Sequence, residues 1–266
     1  MHSDDAAQIL SGSQYEVVDG GGEGPVVALA HGAGGGVREN FAPLIDGIGD
    51  RRFVGPYWPG SGDTPRSDTP LELDALADAV VAAAVSSGAD RFPVVGLSLG
   101  AAVAVTAARR HPEHVSGLVL TVGVARADVR VRAATGTFRA LAAAGAPELA
   151  AYVLRACSTD EQLRDLSPED AERIVADVRA AIPPGAPEQM ELVGRVDVTG
   201  LLSGISVPTL VVVGGGDRLI PPDIERELGT IRGARVIAYD GAGHTFTPRE
   251  AAVWAADVAE FLRTLP

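Results

Sequence analysis

A short segment in the first half of the chain, Gly-Leu-Ser-Leu-Gly at positions 96–100, joins an apolar run to a stretch of small residues. The run from Phe92 to Leu97 is typical of a buried strand, and the stretch from Leu99 to Arg110 is typical of a helix. Glycine has no Cβ, so glycines around Ser98 let the main chain turn sharply and present the serine hydroxyl above a sheet. The segment therefore predicts a sheet covered by helices, with an accessible serine where one strand ends.

Apolar runs alternate with helical patterns along most of the chain, which is typical of a mostly parallel sheet flanked by helices. The expected strands are residues 26–30, 52–55, 92–97, 117–122, 209–213 and 234–239. Residues 124–204 show no strand pattern but several helical stretches, one of which begins at Ser167 with an N-cap pattern. We therefore expect an α/β core formed by residues 1–123 and 205–266, and a helical insertion formed by residues 124–204.

The charged residues and the single cysteine exclude several classes of function. All 22 basic residues are arginine, so Schiff-base chemistry, a P-loop and a Ser-Lys dyad are excluded. The formal net charge of −13 argues against nucleic acid or an anionic membrane surface as a partner. Cys157 is the only cysteine, and no Cys/His cluster has zinc-ligand spacing, so we expect neither an internal disulfide nor a metal.

Targeting signals are not evident in the sequence. Residues 1–14 are polar and acidic and lack the apolar core of a signal peptide. No apolar stretch approaches the roughly 20 residues that span a bilayer. The sequence predicts a cytoplasmic protein without a membrane partner, and it contains no indication of oligomeric state.

A serine nucleophile needs a neighbouring base, and the base needs an acid that fixes its tautomer. Both partners are available after later strands: Asp217 follows the strand at 209–213, and His244 follows the strand at 234–239. Asp240 is an alternative acid, although it is more typical of a turn at a strand end. We therefore expect Ser98, His244 and Asp217 to act together.

Such chemistry also needs two backbone amides that bind the negatively charged oxygen of the transition state. One candidate is the amide of Leu99, directly after the serine. The other is the amide of Ala33, in the glycine-rich loop that follows the strand at 26–30. The same loop superficially resembles a dinucleotide-binding motif, but Val37 replaces its last glycine, so no cofactor is expected.

These motifs resemble those of the α/β-hydrolase-fold enzymes of the single-domain, cap-bearing type. The landmarks that carry the resemblance extend over nearly the whole chain: His31-Gly32, Pro59-Gly60-Ser61-Gly62, Gly96-x-Ser98-x-Gly100, Gly214-Gly-Gly-Asp217 with Ile220-Pro221-Pro222, and Gly243-His244. The order Ser, Asp, His along the chain is that of this family. The resemblance implies an α/β-hydrolase fold, with a helical cap inserted after the sixth strand that shapes substrate specificity.

The expected substrate is a small molecule with a hydrophobic acyl group, held near His31, Gly32, Leu97 and Trp58. Leu97 and Leu99 stand where relatives often have histidine and methionine or glutamine, which makes the pocket floor more apolar. The resemblance implies a serine hydrolase that cleaves an ester, a thioester or a related carbonyl compound through an acyl-enzyme. The alternatives are C–C bond hydrolysis, thioester release or cyclisation, cofactor-free perhydrolysis, and a non-catalytic ligand-binding protein of the same fold.

Overall fold

A computed structural model describes residues 1–12, 14–164 and 166–265, which form an α/β fold around a seven-stranded sheet. The strands are β1 (Val17–Gly21), β2 (Val26–Ala30), β3 (Arg52–Pro56), β4 (Phe92–Leu97), β5 (Val115–Thr121), β6 (Thr209–Gly214) and β7 (Arg235–Tyr239). Their order across the sheet is β1-β3-β2-β4-β5-β6-β7. The first strand pairs antiparallel with β3, and every other neighbouring pair is parallel.

Helices cover both faces of the sheet. They are α1 (Ser3–Gly12), α2 (Val37–Ile45), α3 (Leu73–Ser86), α4 (Leu99–Arg110), α5 (Val129–Ala143), α6 (Leu149–Cys157), α7 (Asp160–Arg164), α8 (Pro168–Ala181), α9 (Ala186–Val193), α10 (Thr199–Leu202), α11 (Pro222–Glu227) and α12 (Pro248–Thr264). Alternate residues of each central strand enter two apolar layers; Val94 packs with α3 and α4, whereas Val95 packs with α2 and α12. Burial on both faces explains why these strands are continuous apolar runs in the sequence.

Most of the expected elements are present with shifts of a residue or two at their ends. β2 and β4 have the expected bounds, and β5 begins at Val115 instead of Gly117. β1 is not among the strands expected from the sequence, because its residues Val-Val-Asp-Gly-Gly include two glycines and an aspartate, which have low β-propensity. As the edge strand of the sheet, β1 is held by its register with β3 rather than by burial on both faces.

Residues 124–204, which we call the insertion, follow β5 and contain helices α5 to α10. Its two ends lie side by side, since the amide of Ala127 donates to the carbonyl of Val196 at 2.7 Å and that of Val198 donates to Ala125 at 2.9 Å. In this structure the insertion follows the fifth strand of the sheet, β5. The resemblance implied a position after the sixth strand.

The turn at Ser98 depends on close contacts between main-chain atoms. Ser98 has φ of 56° and ψ of −117°, a conformation that residues with a Cβ rarely adopt. A Cβ at Gly100 would overlap the carbonyl oxygen of Ala30, and one at Gly96 would overlap the carbonyl oxygen of Gly100. The first turn of α4 therefore lies directly against the end of β2, in a space that only glycine fits.

Replacement of Gly100 by alanine tests this packing. We expect Gly100→Ala to lower the free energy of unfolding by about 1–3 kcal/mol, because the helix must move away from β2. Gly136, within α5, is the matched control, since a Cβ there meets no atom within 4 Å. Gly136→Ala is expected to stabilise the protein by about 0.5–1 kcal/mol. Urea unfolding of both variants checks the pair, and equal effects would contradict the packing described.

Candidate active site

Ser98, His244 and Asp217 come from three different loops and meet at the carboxyl edge of the sheet. The Ser98 hydroxyl lies 3.0 Å from Nε2 of His244, and Nδ1 of His244 lies 2.6 Å from Oδ2 of Asp217. The His244 side chain is 9% exposed, and the Asp217 side chain is fully buried. The structure thus brings together the three residues that the sequence analysis selected as the catalytic set, in a continuous hydrogen-bonded chain.

Asp217 is held by the backbone of its own loop. Its Oδ1 accepts hydrogen bonds from the amides of Leu219 at 2.8 Å and Ile220 at 2.9 Å, which leaves Oδ2 for the imidazole of His244. With Nδ1 donating to this carboxylate, Nε2 is the nitrogen that accepts the proton of the Ser98 hydroxyl. The alternative acid, Asp240, is exposed. The geometry therefore favours Asp217 over Asp240.

The loop after β2 lies beside Ser98, since a Cβ at Gly32 would be 3.3 Å from the Cβ of Ser98. In this loop the amide of Gly32 donates to Oδ1 of Asn40 at 2.8 Å, and the amide of Gly34 donates to Oε1 of Gln189 at 2.8 Å. Ala33 lies between them, and its amide has no acceptor among the residues that the structure describes.

Leu99 supplies the other candidate amide. It is the first residue of α4, where backbone amides have no partner within the helix. The start of a helix also carries a partial positive charge that favours an anion. The structure therefore leaves the amides of both Ala33 and Leu99 available beside the serine.

The sequence predicted that His31 and Trp58 lie near the substrate, but neither side chain contacts the pocket. Both are fully buried behind the loop, with their rings stacked at a centroid distance of 4.6 Å. Nδ1 of His31 donates to the carbonyl of Gly32 at 2.7 Å, and Nε2 accepts from the amide of Trp58 at 2.8 Å. Burial lowers the pKa of His31 to about 3, so the ring is neutral and braces the loop.

A cavity of about 270 Å³ opens above Ser98 and His244. Gly32 and Leu97, two of the residues that the sequence predicts near the substrate, line it. Its wall is largely apolar and is drawn from the insertion and from two core loops: Phe138, Val153, Ile182, Met190, Leu219 and Phe246. Such a cavity suits an uncharged, apolar group placed against the serine.

Cys157 also lines the cavity, and a thiol is a potential nucleophile. Burial, with a smaller effect from Asp217, raises the pKa of its thiol to about 12. The thiol is therefore protonated at neutral pH and unreactive.

Among the residues with described positions, no group of three His, Cys, Asp or Glu side chains is arranged to hold a metal ion. No helix in the described ranges is long and apolar enough to cross a membrane.

Three polar residues of this region were not identified from the sequence. Asn40 and Gln189 bind the loop amides described above, and Glu225 lies fully buried behind Asp217. Gln189 had a detectable signal, because Ala186, Gln189, Met190 and Val193 follow helical spacing, which predicts that they share a buried face. A glutamine on such a face must find hydrogen-bond partners inside the protein.

Glu225 is held as a neutral acid. Its Oε2 accepts from the amide of Gly214 at 2.8 Å, and its Oε1 has no partner among the described residues. Burial, reinforced by the charge of Asp217, raises the pKa of this carboxyl well above its usual range. A second negative charge beside Asp217 is thereby avoided.

The protonated state of Glu225 predicts a pH dependence of stability. An unfolded glutamate ionises above about pH 4.3 while native Glu225 keeps its proton, so the free energy of unfolding falls as pH rises, by up to about 1.4 kcal/mol per pH unit. Glu225→Gln cannot ionise and retains an acceptor for Gly214. We expect its stability relative to wild type to increase from about pH 5 to about pH 8 in urea unfolding. The exposed Glu172→Gln is the control, and parallel pH profiles for both variants would refute the assignment.

Comparison with known proteins supports the fold. Residues 25–249 match the family model of the alpha/beta hydrolase fold. A pimeloyl-[acyl-carrier protein] methyl ester esterase of Neisseria meningitidis serogroup C is 31% identical over 214 residues, which cover 77% of this chain and 80% of that protein. A pyrrolizixenacetamide deacetylase of Xenorhabdus hominickii is 29% identical over 218 residues, with coverages of 80% and 82%. A thermophilic esterase from Thermogutta terrifontis has a similar structure, with a TM-score of 0.78, 25% identity and coverages of 94% and 93%. The chain belongs to the α/β hydrolase fold family.

Proposed function

We propose that this protein is a serine hydrolase that cleaves carboxylic esters with Ser98 as nucleophile, His244 as base and Asp217 as the acid that orients it. The observation that carries the proposal is the chain of hydrogen bonds from Ser98 to His244, at 3.0 Å, and from His244 to Asp217, at 2.6 Å, beneath an apolar cavity. The curated relatives above, an esterase and a deacetylase, support hydrolysis at an acyl carbonyl.

The first half of the reaction forms an acyl-enzyme. The oxygen of Ser98 attacks the ester carbonyl carbon while Nε2 of His244 takes the hydroxyl proton. The carbonyl oxygen becomes negatively charged and is bound by the amides of Ala33 and Leu99. When the tetrahedral intermediate collapses, the imidazolium returns its proton to the departing alkoxide, and the alcohol leaves.

The second half releases the acid. A water molecule loses a proton to Nε2 of His244 and attacks the ester of Ser98, and the same two amides bind the oxygen. Collapse of this intermediate returns the proton to the serine oxygen. The buried carboxylate of Asp217 stabilises the imidazolium in both halves. The proposed chemistry requires neither a metal nor a cofactor.

The acyl group of the substrate would occupy the apolar cavity, which the insertion covers. Phe138, Val153 and Met190 of the insertion line the cavity together with the core residue Leu219. Among the described residues, no arginine lines it. At the start of the insertion, Arg126 pairs with Glu227 and Arg130 with Asp223, while Arg132 donates to the carbonyl of Ala127. We therefore propose an uncharged hydrophobic acyl substrate and propose that residues 124–204 act as a cap.

Labelling with a fluorophosphonate tests the nucleophile. We expect one adduct per wild-type chain by intact mass, and none on Ser98→Ala, because the reagent captures a serine that an adjacent base has activated. Hydrolysis of p-nitrophenyl butyrate is expected to fall at least about 10⁴-fold in kcat/KM for Ser98→Ala.

Ser203→Ala is the matched control, since Ser203 is exposed and lies outside the cavity. It should keep wild-type labelling and rate. Wild-type protein that neither forms an adduct nor cleaves the ester would overturn the proposed function.

Enlargement of the cavity tests the acyl position. Phe138 is buried in α5 and lines the cavity, so Phe138→Ala opens space for a longer acyl chain. We expect the ratio of kcat/KM for the octanoate over the acetate ester to rise by about tenfold or more, since each methylene placed in an apolar pocket contributes on that scale. Val129→Ala, at an exposed site of the same helix, should leave the ratio unchanged. Equal ratios in the two variants would place the acyl group elsewhere.

A further inference from the structure

Gln189 of helix α9 connects the insertion to the loop that carries Ala33. Its side chain is fully buried, and its amide oxygen and both N–H groups of its amide nitrogen make hydrogen bonds. Oε1 accepts from the amide of Gly34 at 2.8 Å, while Nε2 donates to the carbonyl of Pro59 at 3.1 Å and to the hydroxyl oxygen of Ser61 at 2.9 Å. One side chain of the insertion therefore binds two separate loops of the core.

The amide of Ala33 lies between two amides that side chains hold in place. Asn40, on core helix α2, accepts from Gly32 on one side, and Gln189, on the insertion, accepts from Gly34 on the other. Residues 34–36 are all glycine, and Gly34 has φ of 73°, so the loop itself has little intrinsic stiffness. The direction of the Ala33 amide therefore depends on both side chains.

The surrounding contacts reinforce this arrangement. The Ser61 hydroxyl, which accepts from Gln189, donates to the carbonyl of Gly35 at 2.8 Å. At the N-terminus of α9, the amide of Gly185 donates to the carbonyl of Gly60 at 3.0 Å. The two glycines pack main chain against main chain, so a Cβ on either would overlap the other residue. Helix α9 thus has a defined position relative to the loop.

We infer that Gln189 is a positioning residue through which the insertion sets the direction of the Ala33 amide, so that the oxyanion site is complete only with α9 seated on the core. The inference rests on the proposed function. It assigns to the insertion a part in the chemistry that is distinct from forming the wall of the substrate cavity.

Substitution of Gln189 tests the inference through transition-state binding. Gln189→Met has similar length and removes every hydrogen bond of the side chain. We expect kcat for p-nitrophenyl butyrate to fall about 10- to 100-fold with little change in KM, because the misplaced amide serves the tetrahedral intermediate and not the bound ester. The inhibition constant of a trifluoromethyl ketone, which forms a tetrahedral adduct with the serine, should rise by the same factor as kcat/KM falls.

Two further variants separate positioning from general damage. Gln189→Glu keeps a side-chain oxygen for the Gly34 amide and is expected to recover part of kcat. Glu191→Gln is the control on the same helix, since Glu191 is half-exposed and pairs at the surface with Arg139, and it should behave as wild type. A Gln189→Met variant with wild-type kcat, or with a loss confined to KM, would refute the inference.

Amide hydrogen exchange provides a readout that does not depend on catalysis. We expect exchange within residues 32–36 to be faster in Gln189→Met than in wild type and unchanged in Glu191→Gln. Unchanged exchange in the Met variant would refute the role of Gln189 in holding the loop. If wild-type protein fails to react with the fluorophosphonate, the proposed function fails, while the exchange result still decides whether Gln189 holds the loop.

Discussion

Ser98 has φ of 56° and ψ of −117°, a backbone conformation that costs on the order of 1–3 kcal/mol and persists only where the surroundings enforce it. Here the surroundings are main-chain atoms, since the glycines at 96 and 100 leave no space between α4, β4 and the end of β2. The same turn directs the hydroxyl toward His244 and begins α4 at the amide of Leu99. The proposed nucleophile and one of the two proposed anion-binding amides therefore depend on one strained turn.

Much of this arrangement could be predicted from the sequence, because it depends on strand ends. In a parallel sheet the carboxyl ends of the strands share one edge, so apolar runs that end in Gly-Gly-Gly-Asp217 and in Gly-His244 must deliver those side chains near Ser98. The glycine-rich segment after β2 is placed beside them by the same rule. Only the packing of β2 next to β4 was needed to bring Ala33 close.

Other features could not be predicted because they depend on contacts between distant segments. His31 and Trp58 are close in sequence to residues expected at the pocket. Their mutual hydrogen bonds nevertheless hold both side chains in the core. Asn40 and Gln189 are separated by most of the chain, and only the folded insertion shows that they hold neighbouring amides.

The burial of the insertion helices differs sharply along its length. Helix α9 buries five of its eight residues, among them Ala186 and Met190, whereas α7 and α8 bury none of theirs. Substitutions are tolerated where side chains face solvent, so α7 and α8 can accumulate changes that α9 cannot. Ile182, which directly follows α8, lines the cavity next to these exposed helices. In terms of the proposed function, mutation on this side changes the acyl preference without disturbing the amides proposed to bind the oxyanion, which separates the evolution of specificity from that of rate.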